Sequence, residues 1–571
     1  MSPILFLALL CSLIYGNAIA SHHVHTNLET TTQSSDESSN QQPYRTAYHF
    51  QPPKHWINGP MRYKGVYHLF YQYNPKGAVW GNIVWAHSVS KDLVNWIPLD
   101  PAIFPSQPSD INGCWSGSAT MLPGGKPVIL YTGIDPNNHQ VQNLAFPKNL
   151  SDPFLREWIK SPKNPLMAPT VANKINSSSF RDPTTAWKGQ DGYWRVLIGN
   201  KVDTMGRAIL YKSKDFVNWV EAQQPLHSAQ GAGMWECPDF YPVLNNGPNI
   251  NVGLDTSVNG DHVRHVLKVS LDDKKHDYYM IGTYDAAKDI FTPDNNNNKG
   301  LELRYDYGKY YASKSIFDDG KNRRVLFGWV NESSSQNDDI KKGWAGIHTI
   351  PRAIWLHKSG KQLMQWPVQE IEKLRVNPVN WPTKLLKGGE LLQVNGITAA
   401  QADVEISFQV REFGKAEVLE KWTDPQILCG MKGAAVKGGV GPFGLLVFAS
   451  KDLKESTAVF FRIFRYQNKN LVLMCSDQSR SSLNKENDMT PYGTFLDVDP
   501  LHENLSLRTL IDHSVVESFG GEGKACITSR VYPTLAINEK AKLYAFNNGT
   551  SSVRITRLSA WSMKKANING N

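Results

Sequence analysis

Short runs of apolar and aromatic residues, separated by Gly, Pro, Asn and Asp, constrain the fold of this 571-residue chain more than any other feature. From Tyr44 onwards these runs have the length of strands, and almost no long segment shows the 3.6-residue period of a helix. With 41% hydrophobic and 20% charged residues, the composition is that of an ordinary globular protein. The sequence therefore predicts an all-β protein with large buried cores.

Two kinds of repeat predict that the first half of the chain is a β-propeller. The heptapeptide Ser90–Trp96 recurs with a single change as Ser213–Trp219. Apolar strands also recur at intervals close to the size of a four-stranded propeller blade. We interpret these strands as equivalent members of repeated units: Tyr67–Gln72, Val128–Gly133, Arg195–Gly199, Tyr278–Gly282 and Arg324–Gly328. Coincidence in a β-rich chain is the alternative interpretation.

The second half of the chain has the pattern of a β-sandwich, with short strands and turn signals between them. The strands that carry this prediction are Val404–Val410, Leu445–Ala449, Thr457–Phe464, Leu471–Cys475 and Leu543–Phe546. Between the halves, the Pro/Lys/Gly-rich residues 377–389 predict a linker. The predicted domains are thus a propeller over 44–376 and a sandwich over 390–566.

The N-terminus has the features of a secretory signal. Residues 1–20 carry no charge, and the apolar stretch Ile4–Tyr15 is too short to cross a bilayer. Ala18-Ile19-Ala20 supplies a cleavage site, so we predict a signal peptide over 1–20 and a secreted protein. Residues 21–43, rich in Ser, Thr, Asn and Gln, predict a flexible segment. No later segment resembles a transmembrane helix, which predicts no membrane partner.

Cysteines and sequons are consistent with secretion. Cys11 leaves with the signal peptide, and the odd number of remaining cysteines means that at least one thiol stays free. Cys429 with Cys475 is the first disulfide pairing that we consider, and Cys526 remains open as an alternative partner. We predict glycosylation at the Asn-x-Ser/Thr sequons, which are Asn149, Asn176, Asn331, Asn504 and Asn548.

Two carboxylates beside predicted strand starts are candidates for chemistry. Asp182 lies in Phe180–Pro183 and Glu236 in Trp235–Phe240, about one blade apart. A propeller gathers the starts of its inner strands around one funnel, so these two residues can lie close together. The alternative interpretation is structural, because an isolated Asp or Glu often only forms an ion pair or accepts hydrogen bonds. Aromatic and polar residues lie near the same strand ends: Trp56, Asn58, Gln72, Trp80, Trp115 and Ser116. Aromatic faces bind sugar rings and polar groups bind sugar hydroxyls, so we predict a carbohydrate site.

Other classes of site have little support in the sequence. No His/Cys/Asp cluster has zinc-ligand spacing, and no glycine-rich phosphate or dinucleotide motif occurs. The basic residues are scattered, without an aromatic-interleaved surface for nucleic acid. We therefore predict no metal, no cofactor and no nucleic-acid partner. The excess of 61 Lys and Arg over 52 Asp and Glu gives a net charge of +9, which favours contact with a polyanion.

Six stretches of the chain resemble glycoside hydrolase family 32, the family of the plant acid invertases. They are His55–Asn58, Tyr67–Gln72, Trp80–His87, Cys114–Ser118, Phe180–Pro183 and Trp235–Asp239. The resemblance implies a five-bladed β-propeller followed by a C-terminal β-sandwich. It also implies release of fructose from sucrose or fructans with retention of configuration. At position 238 this chain has Pro, which resembles the cell-wall members of the family, whereas vacuolar relatives tend to have Val. This resemblance implies an apoplastic location and an anionic wall partner such as pectin.

The resemblance also implies roles for individual residues. Glu236 matches the general acid/base of the family, and Asp182 matches the carboxylate that holds fructose hydroxyls and stabilises the transition state. Arg181 belongs to the same motif and is a candidate substrate contact. Asp272 and Lys275 resemble an Asp-x-x-Lys element that holds the glucose part of sucrose, which favours sucrose over fructan.

One departure from the family pattern concerns the nucleophile. The first family motif reads Trp-Met-Asn-Asp-Pro-Asn-Gly-Pro, and its Asp forms the fructosyl-enzyme intermediate. This chain reads Trp56-Ile57-Asn58-Gly59-Pro60, and no Asp or Glu occurs between Tyr44 and Asp92. A retaining glycosidase needs two carboxyl groups about 5–5.5 Å apart. We therefore expect a nearly inactive chain that keeps its fold, because the Asn-Gly-Pro segment can absorb the deletion.

Two hypotheses from different classes follow. In the first, the chain is a β-fructofuranosidase, or a fructan exohydrolase with a different specificity, in a transcript or gene-model version that lacks a very short exon. Alternatively, it is a catalytically inactive sugar-binding or regulatory relative. Intact Glu236 and Asp182 favour the first hypothesis, because an inactive lineage has no physical need of an acid/base.

Overall fold

The computed structural model describes residues 42–57, 60–245, 252–294 and 303–569. The predicted signal peptide, most of the predicted flexible segment and Asn58 lie outside the described residues. Within these ranges the chain forms seven β-sheets and two short α-helices, Gln336–Lys342 and Pro425–Met431. Short 3₁₀ turns occur at Pro108–Asp110, Gln369–Leu374, Gly521–Gly523 and Asn538–Lys540. None of the described helices is long and apolar enough to cross a membrane.

Five consecutive sheets form the blades of a β-propeller. Blade 1 consists of His55–Ile57, Pro60–Tyr63, Val66–Asn74, Val84–Ser90, Ile97–Ile103 and Trp344–Ala345. Blade 2 consists of Cys114–Leu122, Lys126–Ile134, Gln140–Pro147 and Trp158–Lys160. Blade 3 consists of Phe180–Arg181, Trp187–Lys188, Trp194–Val202, Met205–Ser213, Val220–Glu221 and His227–Ala229.

The last two blades complete the ring. Blade 4 consists of Trp235–Leu244, Val263–Leu271, His276–Asp285, Ile290–Pro293 and Leu303–Arg304. Blade 5 consists of Tyr310–Asp318, Arg323–Val330, Ile347–His348, Arg352–Leu356 and Leu363–Pro367. The ring closes where Trp344–Ala345 pairs in parallel with His55–Ile57.

The first strand of each blade lines the propeller axis. Pro60–Tyr63 of blade 1 contacts both Cys114–Leu122 of blade 2 and Tyr310–Asp318 of blade 5. Trp235–Leu244 of blade 4 contacts the same strand of blade 5, and Phe180–Arg181 of blade 3 contacts blade 2. Side chains at the starts of these inner strands are therefore brought to one end of the axis.

The two predicted repeats have different outcomes. The heptapeptides form the same turn after the third strands of blades 1 and 3. In both turns the Ser hydroxyl accepts a hydrogen bond of 2.9 Å from the backbone N–H of the residue three positions later, which is Leu93 or Phe216. That residue has φ near +64° in both turns. Four of the five predicted equivalent strands are second strands, but Tyr278–Gly282 lies in the third strand of blade 4. The second strand of blade 4 is Val263–Leu271, and its sequence does not indicate this because Arg, His and Lys interrupt the apolar pattern.

Two seven-stranded sheets form the C-terminal β-sandwich, which confirms the predicted fold class. One sheet consists of Arg375–Trp381, Lys384–Leu386, Gln401–Gln409, Leu505–Asp512, Val515–Gly520, Ala525–Arg530 and Val553–Met563. The other consists of Leu391–Gln393, Glu417–Val418, Val440–Ala449, Thr457–Tyr466, Lys469–Asp477, Tyr492–Leu496 and Lys542–Asn547. Apolar side chains from both sheets, such as Val404, Phe443 and Phe461, fill one core between them.

The predicted linker over 377–389 is wrong. Arg375–Trp381 and Lys384–Leu386 are edge strands that pair with Val553–Met563. Proline is compatible with this position because an edge strand has one side without ladder hydrogen bonds, and Pro378 lies where the pairing register shifts. The strands of the sandwich therefore begin at Arg375, just before the predicted linker, and not after it.

The disulfide joins Cys429 and Cys475, and Cys526 is not its partner. Cys429 lies in the helix Pro425–Met431, and Cys475 lies in the adjacent strand Lys469–Asp477. Cys114, Cys237 and Cys526 are free and buried. The disulfide therefore fastens the short helix to the sandwich sheet that contains Lys469–Asp477.

A buried ionic network joins the propeller to the sandwich, and it gives a test of stability. Arg352 Nη2 of blade 5 lies 2.9 Å from Asp306 Oδ2 and 2.6 Å from Glu517 Oε2 of the sandwich, all fully buried. Arg352→Met would leave both carboxylates without this cation, so we expect the free energy of unfolding to fall by about 3–5 kcal/mol. Thermal unfolding measures this, with exposed Lys358→Met as control. Equal melting temperatures for the two variants would contradict the prediction.

Candidate active site

A backbone irregularity recurs at the same end of all five inner strands. One residue in or directly beside each strand has positive φ there: His55 (72°), Gly113 (147°), Asp182 (67°), Cys237 (43°) and Ala312 (52°). Positive φ is uncommon for residues other than glycine, and such breaks in a strand re-aim the neighbouring side chains. The five breaks surround the mouth of the propeller axis, which we call the funnel.

Side chains from blades 3, 4 and 5 meet at this funnel. The Arg181 guanidinium donates to Glu236 Oε1 through Nε (3.1 Å) and Nη2 (2.8 Å). The hydroxyl of Tyr311 donates to the other oxygen of Glu236. Arg181 Nη2 also lies 3.5 Å from Asp272 Oδ2, and Lys275 pairs with Asp272. The structure thus brings together residues that are up to 130 positions apart in the chain.

Asp182 is held rigidly beside this cluster. Its side chain is buried, and its Oδ2 accepts a hydrogen bond of 2.9 Å from the Cys237 backbone N–H. Its own N–H donates to Thr132 Oγ1 at 2.8 Å, which fixes the strained backbone of this residue to blade 2. Because Cys237 follows Glu236 directly, the carboxylate of blade 3 is bonded to the segment that carries the carboxylate of blade 4.

The surroundings of Glu236 favour its protonated form. Burial raises the pKa of the Glu236 carboxyl above its ordinary value, and the charges of Asp182 and Asp272 act in the same direction. The Arg181 charge and the hydrogen bond from Tyr311 act in the opposite direction but do not cancel the rise in pKa. A carboxyl group with a raised pKa beside a second carboxylate is suited to donate a proton to a leaving group.

Two pairs of tryptophan side chains from blades 1, 2 and 5 contact each other. Trp80 is 58% exposed and makes an edge-to-face contact with Trp115, with ring centroids 5.3 Å apart. Trp56 makes a similar contact with Trp329 of blade 5 at 5.5 Å. Gln72 and Ser116 line a small cavity of about 30 Å³ together with Cys237 and Ala312 of blades 4 and 5. This combination of aromatic faces and polar groups is typical of a site that binds a sugar ring.

The flanks of the missing triplet both remain in blade 1. Ile57 pairs with Tyr73 and Pro60 pairs with Leu69, which is a step of three positions along the inner strand and of four along its partner. The register therefore shifts by one residue across this point, while strand pairing continues on both sides. The described residues of this inner strand include no acid, so the carboxylates of the funnel cluster come from blades 3 and 4.

Five of the predicted site residues are brought together by contacts between blades 3 and 4, namely Arg181, Asp182, Glu236, Asp272 and Lys275, and other members of the site were not predicted. Tyr311, Thr132 and Trp329 were not predicted, although Tyr311 starts an inner strand as Glu236 does. The position of Tyr311 at a strand start was therefore the signal that could have identified it. No group of three or more His, Cys, Asp or Glu suited to a metal ion occurs in the described parts of the chain.

The predicted glycosylation sites differ in accessibility. Asn149, Asn176 and Asn504 are exposed, whereas Asn331 and Asn548 are half-buried. The Asn548 side-chain amide donates to the Ala434 carbonyl at 2.9 Å. Occupancy of all five sequons stays a prediction.

Known proteins resemble this chain over nearly its whole length. Residues 49–367 match the family model of the glycosyl hydrolases family 32 N-terminal domain, and residues 370–562 match that of the C-terminal domain. The cell-wall isozyme of β-fructofuranosidase from Pisum sativum is 75% identical, over 94% of this chain and 98% of the relative. An insoluble β-fructofuranosidase isoenzyme of Arabidopsis thaliana is 63% identical, over 98% of each chain.

A solved structure agrees with the fold. Fructan 1-exohydrolase IIa from Cichorium intybus superposes with a TM-score of 0.89 at 57% identity, covering 92% of this chain and 98% of the other. Two family models that together span most of the chain, and relatives far above 30% identity, lead to one assignment. The chain belongs to family 32 of the glycosyl hydrolases.

Proposed function

We propose that this chain is a cell-wall glycosidase of the β-fructofuranosidase type, with a site built to release fructose from sucrose. The observation that carries the proposal is the half-buried Glu236, held by Arg181 and Tyr311 beside the buried carboxylate of Asp182. Membership of the family and the two plant β-fructofuranosidases at high identity support the same activity.

The mechanism assigns different roles to the two carboxyl groups. Protonated Glu236 donates its proton to the glycosidic oxygen of the leaving sugar, and its carboxylate later accepts a proton from water. Asp182 holds fructose hydroxyls and favours the oxocarbenium-like transition state through its negative charge. Trp56, Gln72, Trp80, Trp115, Ser116 and Asn58 complete the sugar site. The family nucleophile is absent, so the chain performs the first step very slowly.

Substrate choice depends on the edge of the funnel formed by blade 4. Arg181 bridges Glu236 and Asp272, and Lys275 pairs with Asp272 at a more exposed position. These polar groups provide contacts for the glucose hydroxyls of sucrose beside the scissile bond. The similarity to fructan 1-exohydrolase IIa supports fructan as an alternative substrate.

A catalytically inactive sugar-binding role is the second candidate function. The observation that favours it is the inner strand of blade 1, whose described residues contain no carboxylate. Binding of sucrose without release of fructose would identify this role. The experiment that separates the candidates measures fructose release from sucrose at acidic pH by the mature chain and by a restored chain with Asp-Pro-Asn between Asn58 and Gly59.

Location and wall partner follow from chemistry as well as similarity. The cell-wall location in the name of the Pisum sativum relative supports a secreted, apoplastic protein. The net charge of +9 favours an anionic polysaccharide such as pectin as a wall partner. Such binding would weaken as salt is raised, because screening reduces attraction between exposed charges.

Removal of the Tyr311 hydroxyl should change the pH dependence of the restored chain. Because this hydroxyl lowers the pKa of Glu236, Tyr311→Phe should raise that pKa further. Activity falls as the pH rises through the pKa of the general acid, so the alkaline limb of kcat/KM should move to higher pH. Tyr278→Phe serves as a control outside the cluster. An unchanged limb, or a shift to lower pH, would contradict the role of Glu236 as the acid.

A further inference from the structure

We propose that two buried lysines, Lys268 and Lys314, are positioning residues that hold the catalytic segments of blades 3, 4 and 5 in register. The inference deepens the proposed function and rests on it, because it concerns the same funnel. Neither lysine belongs to the cluster of Arg181, Glu236 and Tyr311 that would contact the substrate.

The segments in question have no ladder hydrogen bonds between them. Glu236 and Tyr311 lie in two different sheets, Asp182 directly follows a strand of a third, and neighbouring blades do not share a sheet. Other contacts must therefore fix the position of each carboxylate relative to the next. A shift of about 1 Å in such a constellation can reduce a rate about 100-fold.

The strands that carry Glu236 and Tyr311 are also interrupted by β-bulges. The register of blade 4 shifts between Glu236 and Asp239, and that of blade 5 shifts between Tyr311 and Lys314. A bulge leaves backbone groups without a ladder partner and bends the strand. Buried backbone groups need other partners, because an unpaired buried carbonyl is costly.

Lys268 supplies those partners from within blade 4. Its fully buried ammonium donates to the Cys237 carbonyl at 3.1 Å and to the Ser313 carbonyl at 2.7 Å. Asp277, 3.2 Å from the ammonium, accepts the backbone N–H groups of Ala312 (3.1 Å) and Ser313 (2.8 Å). One ion pair thus joins the bulge after Glu236 to the bulge after Tyr311.

Lys314 extends the same arrangement to blade 3. Its buried ammonium donates to the Pro238 carbonyl at 2.8 Å and lies 3.5 Å from the Pro183 carbonyl. Pro183 follows Asp182 directly, and Pro238 follows Cys237. The side chain also lines the small cavity of about 30 Å³, together with Gln72, Ser116 and Cys237. Lys314 therefore links the segments of both carboxylates from a third blade.

The charge of Lys314 is unusual for a residue whose role is only stability. Burial lowers the pKa of the Lys314 ammonium although the charges of Asp239 and Asp182 act against this, and none of the ion pairs in the described residues includes Lys314. A buried cation without a paired anion is costly, and an apolar side chain of similar length would fill the space. The ammonium of Lys314 donates hydrogen bonds to the Pro183 and Pro238 carbonyls, and a methionine side chain has no donor for these bonds.

The test compares sucrose binding by the chain as it stands with binding by Lys314→Met, using calorimetry without turnover. We expect affinity for sucrose to fall about 10-fold or more, while the melting temperature changes little. Leu326→Ala, a buried core change in the second strand of blade 5, is the matched control. It should lower the melting temperature but leave sucrose affinity unchanged.

A second measurement uses the restored chain with Asp-Pro-Asn. Lys314→Met should lower kcat for sucrose about 100-fold, and Lys314→Gln, which keeps an N–H donor, should lower it less. If both Lys314 variants have the sucrose affinity and the kcat of their parent chains, the inference is overturned but the proposed function is not. Absence of sucrose binding by the parent chain would overturn the proposed function, and this inference with it. If Lys314→Met does not fold, the Gln variant decides by the same criteria.

Discussion

Insertion of Asp-Pro-Asn between Asn58 and Gly59 should raise kcat for sucrose hydrolysis by about 10⁴–10⁶-fold over the chain as it stands. The factor is the usual cost of losing a nucleophile, about 5–8 kcal/mol of barrier. The rest of the funnel is intact, with Glu236, Arg181 and Tyr311 in mutual contact. The inserted Asp would supply the carboxylate that the inner strand of blade 1 lacks.

A length-matched insertion separates chemistry from folding. Asn-Pro-Asn in the same place restores the length of the strand but not the carboxylate, so it should leave kcat close to that of the parent chain. Fructose release is measured at several sucrose concentrations for all three proteins. Equal activity of the Asp and Asn insertions would show that strand length, not the nucleophile, limits the parent. High activity of the parent would mean that another carboxylate reaches the anomeric carbon.

Glu236→Gln in the restored chain should lower kcat for sucrose by about 10²–10⁴-fold, the usual contribution of a general acid/base. Glutamine keeps the size of the side chain and an oxygen that can accept from Arg181 or Tyr311, so sucrose affinity should change much less. The loss should be smaller with a fructosyl donor such as fructosyl fluoride, because its leaving group does not need a proton. Rates with both substrates measure this difference.

Asp272→Asn is the matched control for this variant. Asp272 contacts the same guanidinium but lies at the more exposed edge of the cluster, so its loss should raise KM more than it lowers kcat. An equal loss with sucrose and fructosyl fluoride in Glu236→Gln would contradict its role as acid. It would instead indicate that the substitution disturbs the position of Arg181.

Local patterns in the sequence predicted the parts of the fold that depend on local order. Alternating apolar runs predicted the strands, and the heptapeptides at Ser90 and Ser213 predicted two equivalent turns, because their hydrogen bonds close within a few residues. The same reasoning failed at residues 377–389, where composition alone indicated a linker. Their pairing partner, Val553–Met563, is remote in the chain, and local composition does not report it.

The candidate site shows the same division. Motifs predicted Glu236, Asp182 and Arg181 as site residues, and the missing Asp-Pro-Asn was visible from the sequence alone. Tyr311 and the two buried lysines were not identified, because a Tyr at a strand start or a Lys in a strand has no local mark of function. Their roles come from contacts between blades, such as the bond from Tyr311 to Glu236 and those from Lys268 to Cys237 and Ser313.

The sequence by itself determined the all-β architecture and the absence of the Asp-Pro-Asn triplet, and it predicted Glu236 and Asp182 as the carboxylates of the site. Only the tertiary structure decided which of these groups meet, how Asp182 is fixed by Thr132 and Cys237, and that the pKa of Glu236 is raised. The physical reason is that periodicity and turn chemistry act over a few residues. Burial and charge at the funnel arise from five blades that converge from distant parts of the chain.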